Sequence, residues 1–192
     1  AAISGGQLVL DRGGSFTLDN TANAFATLAA GLSGTPIGAL NYVDVNALTI
    51  GSVTSQSVAY SGITSTGTVS IATLVGNLTV SNNIVTTSTN ATSAVVLNAG
   101  RSASVVSSAP AVGADSSGEL LLGNGVTITT GTGGRSTLYT GQVVNANLLA
   151  LAGSASGRFR YGSDETTSRY TTALGSGIYV IYREQPEIDL AG

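Results

Sequence analysis

Short pieces that alternate an apolar residue with Thr, Ser or Asn recur from one end of the chain to the other. They include Gln7-Leu-Val-Leu10, Ser15-Phe-Thr-Leu18, Ala47-Leu-Thr-Ile50, Gly67-Thr-Val-Ser-Ile71, Asn77-Leu-Thr-Val80, Ala94-Val-Val-Leu97, Glu119-Leu-Leu-Leu122 and Gly125-Val-Thr-Ile-Thr129. A period of two puts the apolar side chains on one face of a strand and the hydroxyls on the other. Gly, Asn and Ser fill the gaps, as turns require. Only Asn124-Gly125 carries the signature of a two-residue hairpin loop. The other gaps read as single corners in a continuing β pattern. This predicts an all-β chain whose strands bend at corners and stack on the next turn: a parallel β-helix, or β-solenoid. An antiparallel β-sandwich, which shows similar strand spacing, is the alternative.

The composition fits stacking around a narrow aliphatic interior. Of 192 residues, 42% are hydrophobic and 9% charged, so the outer surface must be Thr, Ser, Asn and Gly rather than ions. A disordered chain would pair low apolar content with high net charge. The chain contains no Cys and no His. Disulfides, thiol chemistry, the commonest general base and the commonest transition-metal ligand are therefore absent. All seven basic residues are Arg, which excludes a P-loop lysine or a Schiff base. A net charge of −3 with scattered Arg argues against nucleic acid. No apolar run approaches the roughly 20 residues of a membrane helix. The chain does not start with Met, and its Ala1-Ala2 start fits a trimmed signal peptide or a fragment end equally.

Residues 39–53 resemble residues 69–83. Both read as a strand, a polar break and Leu-Thr-(Ile/Val), with Gly125-Val-Thr-Ile-Thr129 as a degraded third copy. Internal repeats of this kind point to solenoids or arrays. Helix signals are confined to Asn145–Ala152, which ends before Gly153, and to an Ala-rich stretch from Ala22 to Leu32. The composition shifts near Gly153. The region from Arg158 to Glu184 holds four of the seven Tyr and four of the seven Arg. Residues 1–156 are accordingly expected to form the solenoid, and 157–192 a C-terminal cap or junction, with Pro186 marking a boundary.

Sites that could carry chemistry are few. Asn41, Asp44 and Asn46 could offer oxygens to Ca²⁺, but no calcium loop motif surrounds them, and a polar corner beside a strand is the plainer reading. Asp164 and Glu165 are adjacent acids. On an extended strand they point to opposite faces, which does not suit a glycosidase pair. Pairing with Arg158, Arg160 or Arg169 is the expectation. No Gly-Xaa-Ser-Xaa-Gly elbow is present, and Gly131–Gly134 reads as a turn rather than a phosphate loop. Thr64/Thr66 and Thr127/Thr129 read as surface hydroxyl ladders. Asn77-Leu-Thr79 and Asn90-Ala-Thr92 match the N-glycosylation pattern, which in a bacterial protein is usually chance. Tyr161, Tyr170, Tyr179 and Tyr182 are the possible ligand or cap contacts: a sugar-stacking platform or, more simply, the core of the cap. No catalytic residue, metal or cofactor is expected.

Two regions resemble the filamentous-haemagglutinin-type adhesins that Gram-negative bacteria export by two-partner secretion. One is the rung pattern in Gly67–Ser81 and Asn46–Val53. The other is the closing segment Gly157-Arg-Phe-Arg-Tyr-Gly-Ser-Asp164, followed by the hydrophobic strand Tyr179–Tyr182. The likeness runs over residues 37–184 and breaks at Pro110–Asp115. It implies a right-handed parallel β-helix and an extracellular or cell-surface location. It also implies an outer-membrane secretion partner and a role as a structural segment of a surface fibre or adhesin, without catalysis. Its partners would be neighbouring copies or modules of the fibre, and host or matrix glycans. Two other functions fit the same composition: a head-to-tail filament subunit, and a carbohydrate-binding or polysaccharide-processing β-helix.

Overall fold

The computed structural model describes residues 1–103, 118–143, 146–153 and 157–185. The break expected at Pro110–Asp115 and the boundary at Pro186 lie outside these residues. The chain is all-β with parallel sheets, one of them strongly curled into a half-barrel. In chain order the strands are β1 (Ser4–Leu10), β2 (Phe16–Leu18), β3 (Ala24–Ala30), β4 (Leu40–Asp44), β5 (Leu48–Ile50), β6 (Ser52–Ser55), β7 (Val58–Ser61), β8 (Ile63–Ser65) and β9 (Val69–Thr73). They continue with β10 (Leu78–Val80), β11 (Ile84–Thr86), β12 (Val95–Asn98), β13 (Leu120–Leu122), β14 (Ile128–Thr129) and β15 (Arg135–Thr140). Helix α1 (Ala146–Ala152) precedes β16 (Phe159–Arg160) and β17 (Gly177–Tyr182).

One sheet runs β2-β4-β9-β12-β15-β17-β16, so until its last strand each pass of the chain adds the next neighbour. The other branches at β3, which pairs with β1 and β5 and, through Ala30, with β8. From there it continues to β10 and β13 on one side and to β11 and β14 on the other. Every pairing within these two sheets is parallel among the described residues. The antiparallel sandwich is therefore excluded. Its hairpins need turn residues that the single Gly and Asn corners do not supply.

Register follows the alternation. Leu8, Leu28, Ile50, Val80 and Leu122 stack in one column, and Leu10, Ala30, Ile63, Ile84 and Ile128 in a second. In the other sheet Leu18, Tyr42, Ile71, Leu97, Leu138 and Val180 form a third. These columns meet in one aliphatic core. Outside it, Thr27, Thr49 and Thr79 lie in register as a half-exposed hydroxyl ladder.

The repeat of 39–53 in 69–83 is direct stacking, with Leu48 on Leu78 and Leu40 on Val69. The third copy is not 125–129. Leu120–Leu122 continues the Leu-Thr-Ile column, while Ile128 stacks on Ile84 in the adjoining strands. The Ala-rich stretch 22–32 is not helical. Its Ala24–Ala30 is β3, because parallel partners on both sides and burial of Leu28 and Ala30 override a modest helix preference. The second helix expectation holds: α1 packs its buried Leu148 against the core, and Asn147 donates its amide to the Leu122 carbonyl.

Candidate functional site

The principal groove lies beside the hairpin β6–β7, the one antiparallel pair of strands among the described residues. It encloses about 680 Å³ between Asp11–Gly13, Leu32, Thr35, Pro36, Val58 and Tyr60. A smaller hollow of about 420 Å³ adjoins it and shares Asp11, Arg12, Val58 and Tyr60. The hairpin stands on its own small core of Ala29, Val53 and Tyr60. Its turn residues Gln56 and Ser57 have φ of 48° and 65°, and Arg12 on the opposite rim has φ of 64°. These are the non-glycine residues with left-handed backbone among the described residues. Such strain persists only where surrounding structure enforces it, and it concentrates at functional surfaces.

The groove holds one carboxylate. The Tyr60 hydroxyl beside Asp11, with smaller help from Arg12, keeps that carboxyl below its ordinary value. Tyr60 is correspondingly pushed up by Asp11. Arg12 bridges Asp11 at 3.4 Å, with its side chain 89% exposed. General acid and base work on a glycosidic bond needs two facing carboxylates, and the lining supplies Asp11 alone. Aliphatic walls with a carboxylate and a guanidinium at the rim suit binding. Sequence reading missed this groove, because Gln-Ser carries no hairpin signature.

The four tyrosines fall into two groups on opposite faces of β17. Tyr182 points into the core, fully buried, and stacks on Tyr161 at 5.3 Å and on Phe159 at 6.5 Å. Tyr179 points the other way and accepts a hydrogen bond from Gly175 N at 2.9 Å. Arg158 lies over its ring at 5.0 Å and Arg160 at 5.7 Å. Arg160 also covers Tyr170 at 5.1 Å. Positions 179 and 182 differ by an odd number, so a period of two separates them. The segment is tied to the rest by β17, which pairs with β15 over six residues from Arg135↔Gly177 to Thr140↔Tyr182. Residues 161–176 between β16 and β17 carry no helix or strand.

No family model, curated protein or solved structure matches the chain.

The acids singled out in the sequence serve local structure. Asp44, at the end of β4, has no exposed surface. One of its oxygens accepts from Phe25 N at 2.8 Å and Tyr42 Oη at 2.7 Å, the other from Asn46 N at 2.9 Å. The polar-corner reading is therefore the right one for Asp44. Asp164 is buried, and its Oδ1 accepts from Thr166 N, Thr166 Oγ1 and Thr167 N. Asp164 and Glu165 are expected to pair with Arg158, Arg160 or Arg169, and the first two of these arginines turn to backbone carbonyls instead. Arg158 donates to Ser176 O, and Arg160 to Gly157 O and Phe159 O. Glu165 is exposed beside the buried Asp164, so the two carboxyls have different surroundings. No cluster of three or more potential metal-ligating side chains occurs among the described residues.

Sequence reading also missed a set of charges around β15 and β17, of which Arg183 and Glu184 are buried and Glu119 is half-buried. Arg183 has no exposed surface and donates to Gly118 O at 2.8 Å. Glu184 accepts from Val143 N at 2.7 Å, and Glu119 from Thr140 Oγ1 at 2.9 Å. Their only sequence signal is a place at the end of an apolar strand.

Proposed function

We propose that this chain is a β-solenoid segment of an extracellular bacterial surface fibre of the filamentous-haemagglutinin type, serving as structure and not as catalyst. The observation that carries this reading is the order of the seven-stranded sheet. From β2 to β17 each pass of the chain lays its strand on the preceding one in parallel register. Stacked backbone ladders around aliphatic columns give cohesion that needs few ions, and stability then grows by nearest-neighbour contacts. A neighbouring module has a natural seat. Among the described residues β1 pairs only with β3, and β2 only with β4, which leaves their outer edges to receive further strands. Export through an outer-membrane partner and contact with host or matrix glycans follow from the fibre role, and the groove beside β6–β7 is the surface on which we place such contact.

Immunolabelling of intact producing cells tests the reading. Antibody against the folded chain should decorate the cell surface and its fibres. Denaturing electrophoresis of sheared fibres should give a band far larger than this chain if the shaft is covalent, and one of its own size if subunits polymerise head to tail. Labelling that appears only after lysis would refute the surface role.

A further inference from the structure

Of the named strands, β17 comes last in sequence but not in its sheet. β16 precedes it in the chain yet lies outside it, in the order β15-β17-β16. Among the described residues β16 pairs with no strand except β17, through Phe159↔Val180 and Arg160↔Ile181. β17 therefore supplies the seat on which the segment ahead of it rests. Its inner edge is held by β15 and its flanks. Gly177 N donates to Gly134 O at 3.0 Å, Arg183 N to Thr140 O at 3.0 Å and Glu184 N to Gly141 O at 3.1 Å. Its outer edge holds the preceding segment. Val180 N donates to Arg158 O at 3.0 Å, Gly162 N to Glu184 O at 2.9 Å and Ser163 N to Tyr182 O at 3.1 Å. Side chains add to both. Tyr182 receives the rings of Phe159 and Tyr161, Arg158 donates to Ser176 O at 2.6 Å, and α1 packs against β17 as well as β13. By contrast, β4, β9 and β12 each lie between two strands of the same sheet.

We propose that β17 is a latch. Its docking on β15 closes α1 and residues 157–185 in one step, and its release opens them together while the sheets from β1 to β15 stay folded. Two physical arguments support this. In a stacked fold each layer is held by its nearest neighbours, so a layer at the end of the stack has full support on one side only. Proteins also open in contiguous cooperative units. Here β17 is the member that the unit shares: without it, β16 loses its strand partner, and Phe159 and Tyr161 lose the ring on which they stack. A chain that emerges N-terminus first presents β16 before its seat exists, and the edge of β15 stays unpaired until β17 arrives. The latch thus delays closure until residues through Glu184 are in place. The inference is independent of the fibre reading, because it needs only the pairing order within one chain.

Hydrogen exchange of the whole chain, read residue by residue by NMR in urea below the global transition, tests the proposal. The amides of Gly162, Ser163, Arg183 and Glu184 are expected to open with one common urea dependence. They should do so ahead of Leu40 and Val69, whose amides donate to Thr68 O and Ala94 O within the stack. Phe159→Ala is the deciding variant. Phe159 lies on β16, at the outer edge of β17. A latch that moves as a unit should nevertheless speed exchange equally, by about tenfold or more, at Arg183 and Glu184 as at Gly162 and Ser163. Acceleration confined to Gly162 and Ser163 would overturn the proposal, because the two edges of β17 would then open separately. Val180→Ala changes a fully buried side chain on β17 itself and should raise exchange at all four amides, leaving Leu40 and Val69 as they are. Loss of protection at Leu40 and Val69 in the same step would also sink the idea, since β17 would then open only with the whole fold.

Discussion

Tyr42 donates its hydroxyl to Asp44 Oδ2 at 2.7 Å, and neither residue has exposed surface. The same carboxylate satisfies Phe25 N on β3 and Asn46 N beyond β4, so one side chain ties two layers and a corner together. Asp44→Ala leaves one buried donor, the Tyr42 hydroxyl, and two part-buried backbone donors without this partner. The buried group alone should cost about 1–3 kcal/mol, and the part-buried ones less because water can reach them. Tyr42→Phe removes one donor along with its bond and should cost about 1 kcal/mol. Urea unfolding followed by far-ultraviolet circular dichroism checks both, read as a lower midpoint at unchanged slope. An Asp44→Ala midpoint equal to that of the parent would refute the tie.

Alkaline pH should unfold the protein through its buried phenols. Burial pushes the Tyr139 phenol up to about 12, with smaller contributions from Tyr170 and Glu165. Tyr42 and Tyr182 are raised too, in both cases chiefly by burial. A folded-state value above the unfolded one means that the unfolded chain releases its proton first. The stabilising contribution is therefore complete below pH 10, the ordinary tyrosine value, and for Tyr139 it is lost as pH rises from there to about 12. Melting temperature against pH should be flat below this window and fall within it. Tyr139→Phe should make the fall shallower, and a fall of unchanged steepness in that variant would count against the assignment.

The aliphatic columns should be the most sensitive part of the molecule. Leu78 is fully buried between Leu48 and Leu120. Leu78→Ala should cost about 2–5 kcal/mol, the usual range for a buried leucine with a cavity left behind. Val75, three residues away and 51% exposed, is the matched control. Val75→Ala should stay within about 0.5 kcal/mol of the parent. Equal losses at the two positions in chemical unfolding would mean that the column does not hold the layers together.

What the sequence disclosed followed its alternation. In Leu40-Asn-Tyr-Val-Asp44 a period of two already places residues 40, 42 and 44 on one face, so a buried Asp44 beside Tyr42 was legible. The stacking of 39–53 on 69–83 was legible as a repeat, and α1 from its run of Ala and Leu before Gly153. β3 was not, because Ala24–Ala30 favours a helix until parallel neighbours on both sides supply what an isolated strand lacks. The split of Tyr179 from Tyr182 was implicit in their odd spacing, but aromatic clustering in the sequence suggested one group of four, either the core of the cap or a sugar-stacking platform. The groove was hidden for a different reason. It depends on a hairpin whose turn residues work against its geometry, so no local signal could announce it.

That turn gives a prediction in the stabilising direction. Gln56 and Ser57 both sit at positive φ, 48° and 65°, in a two-residue connection between Ser55 and Val58. Asn-Gly is the sequence this geometry favours, while left-handed backbone costs an ordinary residue about 1–2 kcal/mol. The double change Gln56→Asn with Ser57→Gly should therefore stabilise the chain by about 1–2 kcal/mol, raising the melting temperature by about 2–4 °C per kcal/mol for a chain of this size. Gly62, at φ of 67° just after the same hairpin, shows the opposite case. A Cβ there would collide with the Asn83 carbonyl oxygen, so Gly62→Ala should lower the melting temperature by several degrees. Gly13, at φ of 57° with open space around it, takes the same change with only the backbone penalty. Calorimetric scans should rank the variants as Asn-Gly turn, parent, Gly13→Ala and Gly62→Ala. A melting temperature for the Asn-Gly turn below that of the parent would mean that Gln56 and Ser57 make contacts worth more than the strain they impose.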